Sequence, residues 1–301
     1  MVETIIPKIA PDEVIDFMNI DSTDFGSFTL AQRIRHFEVE GYVMLCDVLD
    51  TKHIAELKQE LANASMSPKP YSEYQTTSDK QPQWISHAVA ELIGHPPIAE
   101  FLQALMGPDI VFTRGFFQRT HPGSPSISMH TDGQPHGSSI FDYEGSSPRL
   151  LRVLYYLDDL TPERAPLRLI PRSHISFHAH ASPYVRYKSH PQEITLCAKA
   201  GSAVIIPSTL FHATHPNTNG SPRELIQFGY RPAWAGPIKP MKEWDPELIA
   251  NVPAQAKPFL QSLNTTGGIW GLEHKPKGMK TEAQGIDPSL SLIHISEPTR
   301  P

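Results

Sequence analysis

The sequence predicts a mainly β protein with flanking helices, in which an antiparallel jelly roll or barrel forms the core. Two observations support this fold class. Apolar residues recur at helical spacing in the first third of the chain, and short segments rich in β-branched and aromatic residues follow from about Ile110. Helices that precede a run of short strands are typical of an antiparallel domain with helices packed outside it.

The first third of the chain combines amphipathic patterns with residues that begin or end helices. In chain order the sequence predicts a helix over 28–39 that Gly41 ends, a strand over 42–46, a helix from Asp50 or Thr51 to about Ala62, a polar loop with Tyr71, Tyr74 and Trp84, and helical segments over 86–93 and 97–106. The three aromatic residues either line a pocket or anchor the loop by packing.

The remaining elements are strands separated by segments rich in Gly, Pro, Ser and Asn. The predicted strands are 110–118, 150–157, 167–170, 193–197, 202–206 and 224–230. The expected organisation is an N-terminal segment over 1–27, a jelly-roll domain over 28–235, a Pro-rich C-terminal extension over 236–289, and residues 290–301. That last segment contains LSLIHISEPTR, which matches a translated sequencing adapter, and it is excluded from fold reasoning as a scar.

Composition narrows the class of protein. The chain is 39% hydrophobic and 19% charged, with a net charge of -6 and no basic tract, so neither nucleic acid nor a membrane surface is an expected partner. No apolar run approaches the ~20 residues of a membrane span, and the N-terminus lacks a secretory pattern. Only Cys46 and Cys197 are present, which excludes a disulfide scaffold and fits the cytoplasm. We expect a monomer or homodimer that acts on a small-molecule substrate.

Histidine is abundant, and two His-x-carboxylate pairs are candidate metal ligands. His36 and Glu38 lie on the first predicted helix, where residues two apart point to different sides, so this pair indicates surface and core packing. His130 and Asp132 lie between strand-like segments. In an extended chain residues two apart share a face, so these two side chains can bind one ion.

A downstream segment supplies the remaining candidates. His212 and His215 end a predicted strand, and Arg223 opens the next one. Two histidines and one carboxylate leave three positions open on an octahedral metal, which suits non-haem Fe(II) enzymes. An arginine pointing into the same barrel offers a planar fork for a carboxylate, and Thr214 could donate a hydroxyl to it. The residue pattern itself leaves the choice between the two histidines open.

From about Phe28 to Tyr230 the chain resembles the phytanoyl-CoA dioxygenase family. The resemblance is carried by the segment FEVEGYVMLCDVLDTKHIAELKQEL, by HTD over 130–132 and by LRLIPRSH over 167–174. Its most specific part is the spacing after the last metal ligand, where the family has Ser or Thr two, Asn five and Arg eleven residues later. Counted from His212 these positions are Thr214, Asn217 and Arg223, whereas none of them fits from His215.

The resemblance implies a double-stranded β-helix of the cupin-like, jelly-roll type that uses Fe(II), 2-oxoglutarate and O2. It implies oxidative decarboxylation of the cosubstrate to succinate and CO2, coupled to hydroxylation of a small organic substrate. The implied iron ligands are His130, Asp132 and His212, and the implied cosubstrate residues are Arg223, Thr214 and Gln118. Halogenating relatives replace the carboxylate ligand with a small residue, so the retained Asp132 favours hydroxylation.

The chain departs from the family pattern at two turns. Arg172 stands where the family has Gly before Ser-His, and residues 164–166 (Arg-Ala-Pro) replace its Asn-Gly. Two other classes remain open: a non-catalytic jelly-roll binding or regulatory protein, and a cupin-type metalloenzyme that uses no 2-oxoglutarate and would not need Arg223.

Four further residues have both a functional and a structural interpretation. His178 and His180 form a possible ligand pair, although a surface strand is the better interpretation. His136 either faces substrate or lies in a solvated loop. Arg152 could point into the barrel, but a structural or rim charge is the favoured interpretation.

Overall fold

A computed structural model of the chain describes residues 18–132, 150–175, 190–237 and 240–266. Within these ranges the strands form two antiparallel sheets. The strands are β1 Val43–Leu45, β2 Met66–Lys69, β3 Ser72–Ser78, β4 Ile110–Thr120, β5 Leu151–Tyr156, β6 Leu167–Leu169, β7 Ile194–Leu196, β8 Ala203–Pro207, β9 His212–Thr214 and β10 Arg223–Pro232. The larger sheet has the strand order β1-β8-β5-β10-β4-β3-β2 and the smaller sheet the order β7-β6-β9. The predicted mainly β architecture is confirmed.

Four of the five α-helices in the described ranges lie before β4, where they alternate with β1 and the β2–β3 strands, and the fifth follows β10. The helices are α1 Leu30–Glu40, α2 Thr51–Leu61, α3 His87–Glu91, α4 Pro96–Met106 and α5 Pro246–Ala250. Gly41 ends α1 in the left-handed region at φ 87°, and the Asp50 side chain caps α2 by accepting from the His53 amide. No helix in the described part of the chain has the length and apolarity that crossing a bilayer requires.

The predicted polar loop after α2 is wrong in one respect, because it contains the hairpin β2–β3. This hairpin pairs with β4 and extends the larger sheet. Its strands are polar because Gln75 and Thr77 share the inner face of that sheet with their partners Thr120 and Gln118. A strand that turns polar side chains to an interior chamber lacks the apolar alternation that predicts strands from sequence.

The two faces of the larger sheet differ in chemistry. Phe112, Phe228 and Tyr230 form an aromatic cluster on the outer face. Trp244, from the segment 240–266, stacks on Phe112 and also contacts Trp84, so this segment covers the outer face. The inner face faces the smaller sheet and carries most of the polar side chains considered below. The predicted domain boundaries stay predictions.

Candidate active site

Three predicted metal ligands meet between the two sheets. His130 pairs with His212 through two main-chain hydrogen bonds, and their ring centroids lie 4.6 Å apart. The amide of Asp132 donates to the carbonyl of Ser208, which holds the turn after His130 against the end of β8. One ligand atom from each of the three residues lies within 4.8 Å of the others.

Main-chain contacts orient both imidazole rings. Nδ1 of His130 lies 2.8 Å from the carbonyl oxygen of Ser128, and Nδ1 of His212 lies 2.9 Å from that of Leu210. A carbonyl can only accept, so each Nδ1 carries the proton and each Nε2 keeps a free lone pair. Those Nε2 atoms lie 4.0 Å and 3.8 Å from the two carboxylate oxygens of Asp132.

Electrostatics keep the ligands in their metal-binding forms. Burial, reinforced by the neighbouring His212, lowers the pKa of His130 to about 4. Burial raises the pKa of Asp132, but His212 and Arg152 outweigh it and bring that pKa to about 2. At neutral pH His130 is therefore neutral and Asp132 ionised, which are the states that bind a metal. Two imidazole nitrogens and one carboxylate, with no fourth ligand among the residues that the structure describes, fit Fe(II) with open coordination positions.

Arg152 reaches the cluster from β5. Its Nε lies 3.0 Å from Oδ2 of Asp132, and its side chain is only 6% exposed. Arg152 therefore points inward and is not a rim charge, whereas its buried ion pair with Asp132 agrees with the predicted structural charge. Its strand is paired on both sides, with β8 and β10, so its backbone is fixed. A lone charge in the otherwise apolar and aromatic segment LLRVLYYL was the available signal.

The predicted cosubstrate residues lie on the walls of the same chamber. Arg223 is 3% exposed, and it donates to the Ala165 carbonyl and to the Thr120 hydroxyl. Oγ1 of Thr214 and Nε of Arg223 are buried without a hydrogen-bond partner in the described ranges. Both are polar atoms available to a ligand. Gln118 donates from Nε2 to Oε1 of Gln227 at 3.2 Å.

The neighbours of His212 in sequence have structural contacts. His215 turns away from the cluster, and its Nε2 lies 2.8 Å from Oγ1 of Thr195 on β7. Asn217 is fully buried and donates from Nδ2 to the carbonyls of Thr120 and Ser221. It therefore shapes the loop between β9 and β10 and sets the separation of His212 from Arg223.

The other candidates fall into three groups. His36 packs among Phe25, Phe28 and Tyr42, as the packing interpretation of its pair expected. Tyr71 lies in the turn between β2 and β3. Burial and then the charge of Asp132 raise its pKa, which relates it electrostatically to the cluster. Three of the candidate histidines lie outside the described residues: His136, His178 and His180.

Comparison with known proteins gives a consistent class. The model of the phytanoyl-CoA dioxygenase (PhyH) family matches residues 37–225. The chain is 21% identical over 243 residues to "Dioxygenase andF" of Emericella variicolor, covering 76% of this chain and 82% of that protein. It is 30% identical over 96 residues to "Dioxygenase trt7" of Aspergillus terreus, covering 32% of each chain.

Solved structures share the fold at low identity. The 2-oxoglutarate-bound nickel form of HygX from Streptomyces hygroscopicus has a TM-score of 0.59 at 15% identity, over 68% of this chain and 88% of that one. The epimerase SnoN, solved with Fe3+, α-ketoglutarate and nogalamycin RO, has a TM-score of 0.58 at 20% identity, over 79% and 96%. These likenesses confirm the predicted jelly-roll core.

Proposed function

The chain belongs to the phytanoyl-CoA dioxygenase family of Fe(II)- and 2-oxoglutarate-dependent oxygenases, and we propose that within this class it hydroxylates a small organic substrate. The enzyme class and the cofactors Fe(II) and 2-oxoglutarate that the sequence predicted are confirmed. Hydroxylation, the residue roles and the choice of substrate are proposals.

The observation that carries the proposal is the convergence of three ligand atoms with fixed orientation. Both Nδ1 atoms are occupied by main-chain carbonyls, which leaves the two Nε2 atoms and the Asp132 carboxylate to hold the metal. We assign His130, Asp132 and His212 as the iron ligands. The retained carboxylate supports hydroxylation, because it occupies the coordination position that a halide would need.

The chamber walls support a binding site for the cosubstrate. The guanidinium of Arg223 is buried and keeps N–H donors beyond its two protein acceptors, so it can bind the far carboxylate of 2-oxoglutarate. The unpartnered hydroxyl of Thr214 can donate to the same carboxylate, and Gln118 is a further candidate. When bound, Fe(II) and 2-oxoglutarate supply the activation of O2, with succinate and CO2 as products. The protein residues hold the reactants and exclude water.

Replacing each of the two neighbouring histidines tests the metal site. His212→Ala should abolish Fe(II) binding and succinate formation, since it removes one of three ligands. His215→Ala should retain the metal and most of the activity, because His215 contacts Thr195 on the other side of the strand. Metal content after anaerobic loading and succinate formed from 2-oxoglutarate are the two measurements.

The pair of variants is matched in chemistry and separated by three residues. Loss of iron only in His215→Ala would break the register on which Thr214 and Arg223 were assigned. Retention of iron in both variants would remove His212 from the site.

A further inference from the structure

Two arginines flank one glycine on the inner face of the larger sheet. In the strand register Gly229 of β10 pairs with Arg114 of β4 on one side and with Arg152 of β5 on the other. Arg152 is bound to Asp132. Arg114 is half-buried and makes no hydrogen bond or ion pair within the described ranges. Burial lowers its pKa to about 10, which still leaves it charged at neutral pH.

Gly229 makes room for the side chains of Thr113 and Arg114, which pack directly against it. A Cβ at this position would lie 2.6 Å from Oγ1 of Thr113 and 3.3 Å from Cγ of Arg114. Any larger residue would therefore displace the stem of Arg114. The absence of a side chain at Gly229 therefore lets the stem of Arg114 lie close to the strand, next to Arg152 in the register.

The described inner wall carries more positive than negative charge. Arg114, Arg152 and Arg223 face the chamber by strand register. The acidic groups that act on them are Asp132 and, for Arg223, Asp158, which is already ion-paired with Lys58 and Arg164. Lys69, at the end of β2, adds a further positive charge that interacts with these groups: burial and then the charge of Arg223 lower its pKa to about 8, whereas the charge of Asp132 raises it. Bound Fe(II) and the two carboxylates of 2-oxoglutarate cancel each other in charge. A positive excess therefore remains for another ligand, since buried charges are paired.

Arg114, which has no ion pair among the described residues, lies far from the proposed cosubstrate anchor. Arg223 and Gly229 are six residues apart on β10, roughly 20 Å of extended chain. The contact of Arg152 with Asp132 relates the Gly229 end to the metal cluster. We propose that Arg114 binds an anionic group, a carboxylate or a phosphate, of the organic substrate. This inference rests on the proposed function, because it assigns the organic substrate of that same site.

Direct binding to enzyme loaded anaerobically with Fe(II) and 2-oxoglutarate tests the proposal. The probes are phenylacetate, methyl phenylacetate and benzyl phosphate, measured by calorimetry. We expect at least one anionic probe to bind about tenfold or more tightly than the ester, which corresponds to about 1.4 kcal/mol. The preferred anion distinguishes carboxylate from phosphate. Arg114→Gln should reduce the preference below about threefold, and Arg114→Lys should keep most of it.

Arg119→Gln is the matched control, because Arg119 lies on the same strand but contacts Glu224 and the Phe117 ring on the other face. It should keep the preference. No preference in the unmodified enzyme, or an equal preference in Arg114→Gln, would overturn the proposal. Succinate formed without organic substrate is measured in parallel. Its absence in the unmodified enzyme counts against the proposed function, whereas its presence without anion preference counts against Arg114 only.

Discussion

Strand β10 has a buried arginine at each end, and the two use their guanidinium groups differently. The terminal nitrogens of Arg231 make five hydrogen bonds, all to main-chain carbonyls: those of Pro232, Ala233, Ala235, Leu263 and Thr265. The terminal nitrogens of Arg223 make two hydrogen bonds, to the Ala165 carbonyl and to the Thr120 hydroxyl. Burial therefore does not distinguish a structural arginine from a binding one, whereas the number of donors that the protein itself uses does.

The two arginines therefore have different roles on the same strand. Arg231 binds residues 263–265 to the end of β10, where Leu263 packs with Val111 and Ala233. Arg223 is held in place by two acceptors, and its other N–H groups remain available in the chamber. The first arrangement serves stability and the second serves recognition of a carboxylate.

The largest expected effect is a loss of unfolding free energy in Arg231→Met, which removes the donor of five hydrogen bonds to main-chain carbonyls. An unsatisfied buried polar group costs about 1–3 kcal/mol, and some of these carbonyls will reach water, so we expect a loss of about 3 kcal/mol or more in unfolding free energy. Urea unfolding of the metal-free protein measures it. A loss below about 1 kcal/mol would contradict the structural role. The folded variant should bind 2-oxoglutarate normally.

Arg223→Leu should show the reverse pattern, in which 2-oxoglutarate affinity falls more than the free energy of unfolding. Removing one partner of a buried charge pair costs on the order of 2–5 kcal/mol, and here the cost should appear in 2-oxoglutarate affinity. Fe(II) binding should stay near normal, because the three ligands are untouched. Anaerobic titration of 2-oxoglutarate into the Fe(II) enzyme measures both quantities, and Arg223→Lys should recover part of the affinity. Unchanged cosubstrate affinity would remove Arg223 from the site.

Several site residues and helix ends could be predicted from sequence, because the patterns that indicate them are local. The spacing from His212 to Thr214 and Arg223 predicted residues that lie on the walls of one chamber, and Asp50 and Gly41 predicted helix ends that the structure has. The HTD pattern predicted a cluster that forms. Each of these signals lies within about a dozen residues of sequence.

Features that depend on contacts between distant strands could not be predicted in this way. The hairpin β2–β3 lacks apolar alternation because its inner side chains are polar. The role of Arg152 depends on Asp132, which is twenty residues away in sequence, and that of Arg231 on carbonyls more than thirty residues later. The spacing from His212 indicated Arg223, but no local signal indicated that Arg231 would bind main-chain carbonyls.

Ala165→Gly sharpens the comparison at the carbonyl that accepts from Arg223. Ala165 lies in the segment 164–166 that replaces the family's Asn-Gly, and it has φ 46°, a left-handed conformation that costs an L-residue about 1–2 kcal/mol. Ala213 is equally buried and is not among the positive-φ residues, so Ala213→Gly loses the same methyl group without relieving strain. Chemical unfolding should show Ala165→Gly to be the less destabilising by about 1–2 kcal/mol. Equal losses would argue that Ala165 carries no strain.

The smallest effect is expected for Arg172→Gly, which extends the comparison to an arginine at the surface. Arg172 replaces the family's other glycine at φ 66°, its side chain is 61% exposed, and its Nε lies 3.0 Å from Oε2 of Glu40. Glycine relieves about 1 kcal/mol of backbone strain but loses an exposed ion pair worth about 0–1 kcal/mol and adds chain entropy to the unfolded state. The net change in unfolding free energy should stay within about 0.5 kcal/mol.

Arg172→Ala loses the same ion pair and keeps the strained backbone, so it should be less stable than Arg172→Gly by about 1 kcal/mol. If the alanine variant proved as stable as the glycine variant, the turn would not require a left-handed residue. If both lost several kcal/mol, the exposed ion pair would contribute as much as buried contacts do, and the distinction between used and spare donors would not extend to the surface.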